Sequence, residues 1–368
     1  MLKLFAYPAQ SNMNGRRLPL TWSRMLRSNP HRQQAYSLLD IAALVSTSAF
    51  SLEDEESAPD FTVFSFYKIF GFPDLGALIV RKPAGKVFEK RPYFGGGTTE
   101  MVTCLETPWF ARKEKSLSSR LEDGSLPIRS ILALNLAIDA HEKLYGGIRQ
   151  ISLHTSWLAE NLYNRLMGLK HWNGFPLSLI YKDIASTYGN SKTQGATVVF
   201  NLRRSDGTWI GSSSVGKYAT ERGLYIRTGS LCNPAGMARA LGLTDNDVQR
   251  AFMSGFRCGQ EYDIRNGIPM GMVRVSLGAM STLGDIDVFI NFVQECFVER
   301  RPDRTLTAVT RQERSTGSQA LPSSGAGSRN GYDAQESWTT IASTEKIANR
   351  RLRDQARAVA RRAFCMMA

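Results

Sequence analysis

The stretch 60–80, DFTVFSFYKIFGFPDLGALIV, decides how this chain is read. Two compact apolar runs, FTVFS (61–65) and GALIV (76–80), have the length and the aromatic or branched content of buried strands, with turn residues between them. From Phe61 to Val80 the only charged side chains are Lys68 and Asp74. An ammonium buried among Phe, Val and Ile is costly unless it is paired or neutralised. A buried Lys68 therefore needs a reason.

Working outward, KLFAYP (3–8) and YSLLD (36–40) read as two further short strands, the second ending at Asp40. Strands alternating with longer connections predict an α/β chain with a mostly parallel sheet. The segment LPIRSILALNLAIDAHEKLYGG (126–147) predicts a helix, with Pro127 in its first turn and Gly146-Gly147 ending it. Being apolar on nearly every side, it is expected to lie buried between domains. An amphipathic helix follows, with Ile151, Leu158, Leu162 and Leu166 on one face. ATVVFNL (196–202) and MVRVSLG (272–278) predict strands of a second domain, Thr244 with Asp247 a capping box, and 285–300 a closing helix. Past Arg300 a Ser/Gly-rich polar stretch leads to a basic end, expected to be a disordered tail. The expected division is 1–125, 126–300 and 301–368.

Of the net charge of +13, the last 68 residues hold twelve Lys/Arg against six Asp/Glu. The body carries no nucleic-acid-binding signature, so a basic surface and tail, without a nucleic-acid partner, is the expectation. No apolar run approaches the roughly 20 residues of a membrane span, and the N-terminus does not read as a signal peptide. Five cysteines (104, 232, 258, 296, 365) lack metal or disulfide spacing, and the four histidines show no metal pattern. His141 and His154 are expected to be structural, and a reducing, cytoplasmic setting is the default.

Asp40 and Lys68 each fall at the carboxyl end of an expected strand, where open α/β sheets place their sites. A buried lysine is a good nucleophile toward aldehydes, and pyridoxal 5'-phosphate is the common aldehyde that needs one. That cofactor also needs a carboxylate for its ring nitrogen, which Asp40 could supply, and phosphate ligands among Ser65, Tyr67 and FGGGTT (94–99). On spacing alone the residues favour a lysine that snorkels to the surface over a Schiff-base lysine.

SFYKIFGFPDLGALIVRK, LLDIAA, YFGGGTT and LEDGSLP, followed by IRTGSLCNPAG (226–236), GLTDNDVQRAF and GMVRVSLGAMSTLGDIDVFINFV, closely resemble the pyridoxal-phosphate half of molybdenum cofactor sulfurases. These belong to the class V aminotransferase and cysteine desulfurase superfamily, and the resemblance runs from residue 3 to about 298. It implies a partial fold type I transferase, with a large-domain sheet and a smaller α+β C-terminal domain. By resemblance Lys68 carries the cofactor as a Schiff base and moves the substrate's α proton, while Asp40 pairs with the ring nitrogen. Asn12 contacts the cofactor's phenolic oxygen, Ser65 its phosphate, and Thr98 the phosphate of the neighbouring subunit in a homodimer. Tyr67 stands where ordinary desulfurases have histidine. Arg274 grips the substrate carboxylate, a bidentate task that suits guanidinium. Cys232, with Arg227 near it in a glycine-containing turn, accepts sulfur from L-cysteine as a persulfide and passes it to molybdenum cofactor.

The chain departs from that pattern in three ways. Ser230 and Met237 replace two cysteines that often flank the central one. Family members begin well upstream, with a phosphate-binding turn and a group that stacks on the cofactor. Their C-terminal MOSC domain, which holds molybdenum cofactor, has a basic tail in its place. Three readings follow: the sulfurtransferase, a catalytically impaired scaffold, or another class V enzyme such as a general cysteine desulfurase.

Overall fold

The computed structural model describes residues 2–32 and 35–301. The tail expected over 301–368, with Cys365, lies outside the described residues apart from Arg301. The first half holds β1 (Lys3–Pro8), α1 (Trp22–Arg27), β2 (Ala35–Asp40), β3 (Phe61–Ser65), α2 (Tyr67–Phe70) and β4 (Gly76–Val80), then the ribbon β5 (Thr99–Thr103) and β6 (Trp109–Arg112). Two long helices follow, α3 (Ile128–Tyr145) and α4 (Ile148–Gly168). The second half runs β7 (Ser178–Ile180), β8 (Thr197–Arg203), β9 (Trp209–Ile210), α5 (Ser212–Glu221), β10 (Arg227–Gly229), α6 (Pro234–Leu241) and α7 (Asp245–Met253). It closes with β11 (Ile264–Arg265), β12 (Ile268–Pro269), β13 (Met272–Ser276) and α8 (Leu283–Phe297).

The first sheet has the order β1-β2-β3-β4, with β1, β2 and β3 parallel and β4 antiparallel. Pro8 pairs with Asp40 and Asp40 with Val63, so the three parallel strands end together. Their carboxyl edge is where Asn12, Asp40 and the Ser65–Lys68 segment leave the sheet. Leu39, Ile41, Phe64 and Phe66 form the core beneath it, with Leu134 and Ile138 of α3 packed on. The apolar runs read as strands are thus strands, most deeply buried at β3, where Phe61, Thr62 and Phe64 are inside.

Two expectations need correction. Lys68 is exposed. In the single turn of α2, Phe66, Ile69 and Phe70 face the core, and at 3.6 residues per turn this leaves Tyr67 and Lys68 on the outer side. Helix α3 is likewise buried on one face only: Leu134, Ile138 and His141 are inside, whereas Leu132, Leu136 and Leu144 are exposed on a stripe spaced by multiples of four.

The second sheet is antiparallel, ordered β10-β13-β8-β7, with β9 on β8. Residues Val198–Leu202 of β8 are all buried because both sides are covered. Phe200 and Leu202 meet α4 and α8 through Leu158, Leu162, Ile286 and Phe289, while Val199 faces a smaller cluster of Met13, Leu231, Met237 and Met272. Thr244 and Asp247 form the predicted capping box of α7, and Thr282 with Asp285 repeats it at α8. Met13 of the first half sits in the smaller cluster, so the two halves share apolar contacts.

His141 is 8% exposed, lies edge-on between Phe70 and Tyr145, and has no hydrogen-bond partner on either ring nitrogen among the described residues. Burial lowers its pKa because the imidazolium would have to form in an apolar place. Just below the unfolded value of about 6.5 the unfolded chain binds more protons than the folded one. The stability conferred by neutral His141 is therefore complete above that pH and is lost as pH falls through it. Thermal melts taken between about pH 7.5 and about pH 5.5 should show a steeper loss for the wild type than for His141→Phe. Parallel losses in the two proteins would show that this ring does not set the acid limb.

Candidate active site

The carboxyl edge of the first sheet meets the turn after β10 through Asn12. Its Nδ2 donates to the Leu231 carbonyl at 2.9 Å, its Oδ1 accepts from Asn233 Nδ2 at 3.2 Å, and its backbone carbonyl accepts from Arg274 Nη1 at 2.5 Å. The loop that carries Asn12 is itself fixed to the second half. Gln194 Nε2 donates to the Asn14 carbonyl at 2.7 Å, and Gly195 N to the Gly15 carbonyl at 2.7 Å. Gly15 has φ +75°, and a Cβ there would sit 2.6 Å from Gln194 Nε2. Arg16 pairs with Asp183 at 2.7 Å. Arg17, which burial lowers to about 10, donates to Gln10 Oε1, Ser48 Oγ and the Ser191 carbonyl.

Next to this junction stands Cys232. Leu231 and Cys232 both adopt left-handed backbone, with φ +56° and +53°. Holding a non-glycine residue there costs on the order of 1–3 kcal/mol. Leu231 is 2% exposed, and burying such a side chain contributes about 1.5–3 kcal/mol. The bond from Asn12 adds about 1 kcal/mol. A buried leucine and one amide thus keep the turn wound while the Cys232 thiol stays exposed.

Arg227 Nη2 donates to Cys232 Sγ at 3.3 Å. Across the ladder Arg227 pairs with Arg274, so two guanidinium side chains leave one face of the sheet together. Val273 and Val275, which alternate with Arg274, pack into the core on the other face. Burial, and then the charge of Arg227, lower the pKa of Arg274, and Cys232 opposes this. Arg274 Nε is buried without a partner, and neither arginine is ion-paired among the described residues. Like charges placed opposite each other are unfavourable in a ladder. The arrangement suits an anion.

The sequence-predicted residues therefore form two sets. Asn12, Arg227, Cys232 and Arg274 are in direct or shared contact. Asp40, Ser65, Tyr67 and Lys68 share the sheet edge, where Asp40 Oδ1 accepts from Ala42 N at 2.8 Å. Thr98 joins neither set. It is 2% exposed and its hydroxyl donates to the Gly95 carbonyl at 2.7 Å, so contacting another subunit's phosphate would require the glycine turn to open. The donor set at the edge fits pyridoxal phosphate in its chemistry: an exposed amine for the aldehyde, a carboxylate for the ring nitrogen, and hydroxyls for the phosphate. Sequence reasoning missed Asp263, which is buried and accepts from Ser212 Oγ and Ser213 Oγ at the start of α5. Only its place in EYDIRNG, a short polar run before β13, could have drawn notice. Among the described residues no cluster of three or more His, Cys, Asp or Glu could hold a metal ion, and no helix is long and apolar enough to cross a membrane.

The aminotransferase class-V family profile matches residues 1–289. The chain belongs to the class-V aminotransferase family. Within it, the chain is 53% identical over 301 residues to the molybdenum cofactor sulfurase of Aspergillus niger, covering 82% of this chain and 36% of that one. It is 51% identical over 294 residues to that of Chaetomium globosum, covering 80% and 38%. The chain thus spans little more than a third of the length of these relatives. A solved cysteine desulfurase from Thermococcus onnurineus superposes with a TM-score of 0.57 at 20% identity, over 80% of this chain and 59% of that one. The cysteine desulfurase CsdA of Escherichia coli gives 0.54 at 15%, over 80% and 58%. Both likenesses are of fold, that of class-V enzymes of fold type I.

Replacing Asn12 with Ala removes two side-chain hydrogen bonds at a partly exposed position while leaving its backbone carbonyl for Arg274. Urea unfolding should show a loss of about 1 kcal/mol, with the far-ultraviolet spectrum unchanged. An unaltered midpoint would mean that the Cys232 turn does not depend on this amide.

Proposed function

We propose that this chain carries the sulfur-mobilising site of a molybdenum cofactor sulfurase, taking sulfur from L-cysteine onto Cys232 and releasing L-alanine. The observation that carries the reading is the exposed Cys232 thiol, held 3.3 Å from Arg227 beside Arg274 and tied through Asn12 to the sheet edge that bears Asp40 and Lys68. The similarity to molybdenum cofactor sulfurases supports molybdenum cofactor as the eventual acceptor, in which sulfide replaces an oxo ligand. The homodimer, the cytoplasmic setting and a MOSC-type partner expected from the sequence belong to the same proposal.

Pyridoxal phosphate, when bound, supplies an electron-withdrawing ring that weakens bonds around the amino acid's Cα. Lys68 would hold its aldehyde and could then move the α proton. Asp40 would keep a proton on the ring nitrogen, and Ser65 and Tyr67 would supply hydroxyls to the phosphate. Arg274 takes the cysteine carboxylate with a charge-assisted pair, orienting the substrate. The Cys232 thiolate attacks the substrate sulfur. One S–S bond forms and the Cβ–S bond breaks, its electron pair staying on carbon, which gains a proton and leaves as alanine. Arg227 steadies the charge that moves onto the persulfide.

Mixing the protein with pyridoxal phosphate should give a yellow species that borohydride fixes on Lys68, and Lys68→Ala should lose both colour and label. Cys232→Ala should keep the colour and lose protein-bound persulfide. Arg274→Ala should raise the apparent KM for L-cysteine by about ten- to a hundredfold, the equivalent of a charged hydrogen bond of roughly 1.5–3 kcal/mol. Label on a different lysine, or no cofactor uptake at all, would point to the scaffold reading instead.

A further inference from the structure

Two of the four thiols among the described residues lie close to β10 and the turn that follows it. Arg227 opens that strand and Gly229, at φ +92°, ends it. Thr228 between them turns toward α5, where a Cβ on Gly216 would lie 3.0 Å from its methyl group. Arg227 reaches Cys232 Sγ, and a Cβ on Gly229 would lie 4.0 Å from Cys258 Sγ. Ser230 bridges the pair: its Oγ is 3.4 Å from Cys258 Sγ, and one residue separates it from Cys232. Across two residues the Cα atoms are at most about 7 Å apart, so the residue that touches Cys258 is in the same short turn as Cys232. Both are exposed and free.

The backbone around them favours motion. Gly229, Leu231 and Cys232 all have positive φ, and relaxing the two strained non-glycine residues would swing the Cys232 side chain. Cys258 lies between Gly255 and Gly259, each at φ +87°, and a Cβ on either would meet nothing within 4 Å. Its thiol opens into a hollow of about 250 Å³ that wraps the free edge of β10 and is lined by Lys217, Thr228, Gln260 and Glu261.

We propose that Cys258 is a second sulfur-carrying thiol, which receives the sulfane sulfur from Cys232. The inference rests on Cys232 being the first acceptor. In the step, the Cys258 thiolate attacks the terminal sulfur of the Cys232 persulfide. A new S–S bond forms at Cys258, the old one breaks with its electron pair on Cys232 Sγ, and any proton lost by the Cys258 thiol passes to Cys232 or to water. The number of disulfide-level sulfurs is unchanged, so no oxidant or reductant is needed. Cys232 returns to its thiolate and can accept again, while the sulfur waits in the hollow beside Lys217.

The full chain, reduced and dilute, should give an intramolecular Cys232–Cys258 disulfide when oxidised with diamide, read by peptide mass mapping. The bridge should vanish in Cys232→Ser and in Cys258→Ser, two exposed positions where folding is not at stake. A Cys258 that stays free in the wild type, or that bridges to a different cysteine, overturns the proposal. With pyridoxal phosphate and L-cysteine, one added sulfur should appear on both cysteines in the wild type, on Cys232 alone in Cys258→Ser, and on neither in Cys232→Ser. Sulfur confined to Cys232 in the wild type sinks the relay and leaves the acceptor role standing. Sulfur on Cys258 in Cys232→Ser overturns the order of transfer. No sulfur on either thiol, with the diamide bridge intact, removes the acceptor role of Cys232 and the relay with it.

Discussion

One asparagine joins the two halves of this site. Asn12 follows the end of β1, in the sheet whose other strands lead to Asp40 and Lys68, and gives its donor to Leu231 and its acceptor to Asn233, more than two hundred residues away. An amide side chain can do both at once, from two separate atoms. An ionised aspartate could accept from Asn233 but would face the Leu231 carbonyl with a second acceptor. Because the Asn12 carbonyl also takes Arg274 Nη1, the same residue positions the turn that bears the thiol and the arginine beside it. Loosening Asn12 would leave each core and the neighbouring ties through Asn14, Gly15 and Arg16 intact, and would free the Cys232 turn from the sheet edge.

That relation matters because the charges here are unfavourable by themselves. Arg227 and Arg274 stand opposite each other on a two-strand ladder, and Arg274 is partly buried with its Nε unpartnered. A stability argument alone would place a carboxylate between them or remove one. Their placement side by side, next to an exposed sulfur, is the kind of locally costly arrangement that marks chemistry involving anions. In the proposed reaction the substrate carboxylate is an anion that such a pair of guanidinium groups would suit. The apolar cluster of Met13, Leu231, Met237 and Met272 underneath provides the rigidity that the charges do not.

Much of the frame could be read from residue patterns. The apolar runs at 3–8, 36–40, 61–65 and 76–80 gave strands within a residue of their ends, and alternation placed Arg274 opposite Val273 and Val275. Thr244 and Asp247 announced a cap because that bond pattern is local. What stayed hidden depended on partners far along the chain or on backbone conformation. Nothing in SLCNP reveals that Leu231 and Cys232 are left-handed, since neither residue type favours that region. Thr98 looked like a free hydroxyl until the GGGTT turn folded back and gave it the Gly95 carbonyl. The apolar character of 126–147 overstated the burial of α3, because composition counts Leu132, Leu136 and Leu144 without saying that no described element packs over them.

Lys68 shows the same limit and explains how labour is divided in the site. The apolar stretch around it belongs to Phe64, Phe66, Ile69 and Phe70, which hold α2 against the core, and the lysine is turned to the outer side of that anchored turn. An amine mounted this way has a fixed base and an open head, so what desolvates it must be a ligand at the sheet edge rather than its own strand. Cys232 is mounted in the opposite manner, on a strained turn held by one buried leucine and one amide. On the proposed function, a group that holds a cofactor gains from rigid support, whereas one that must collect sulfur and then carry it elsewhere gains from a backbone with a second conformation in reach. The β-strands supply the first and the left-handed pair supplies the second, with Asn12 keeping the two in register.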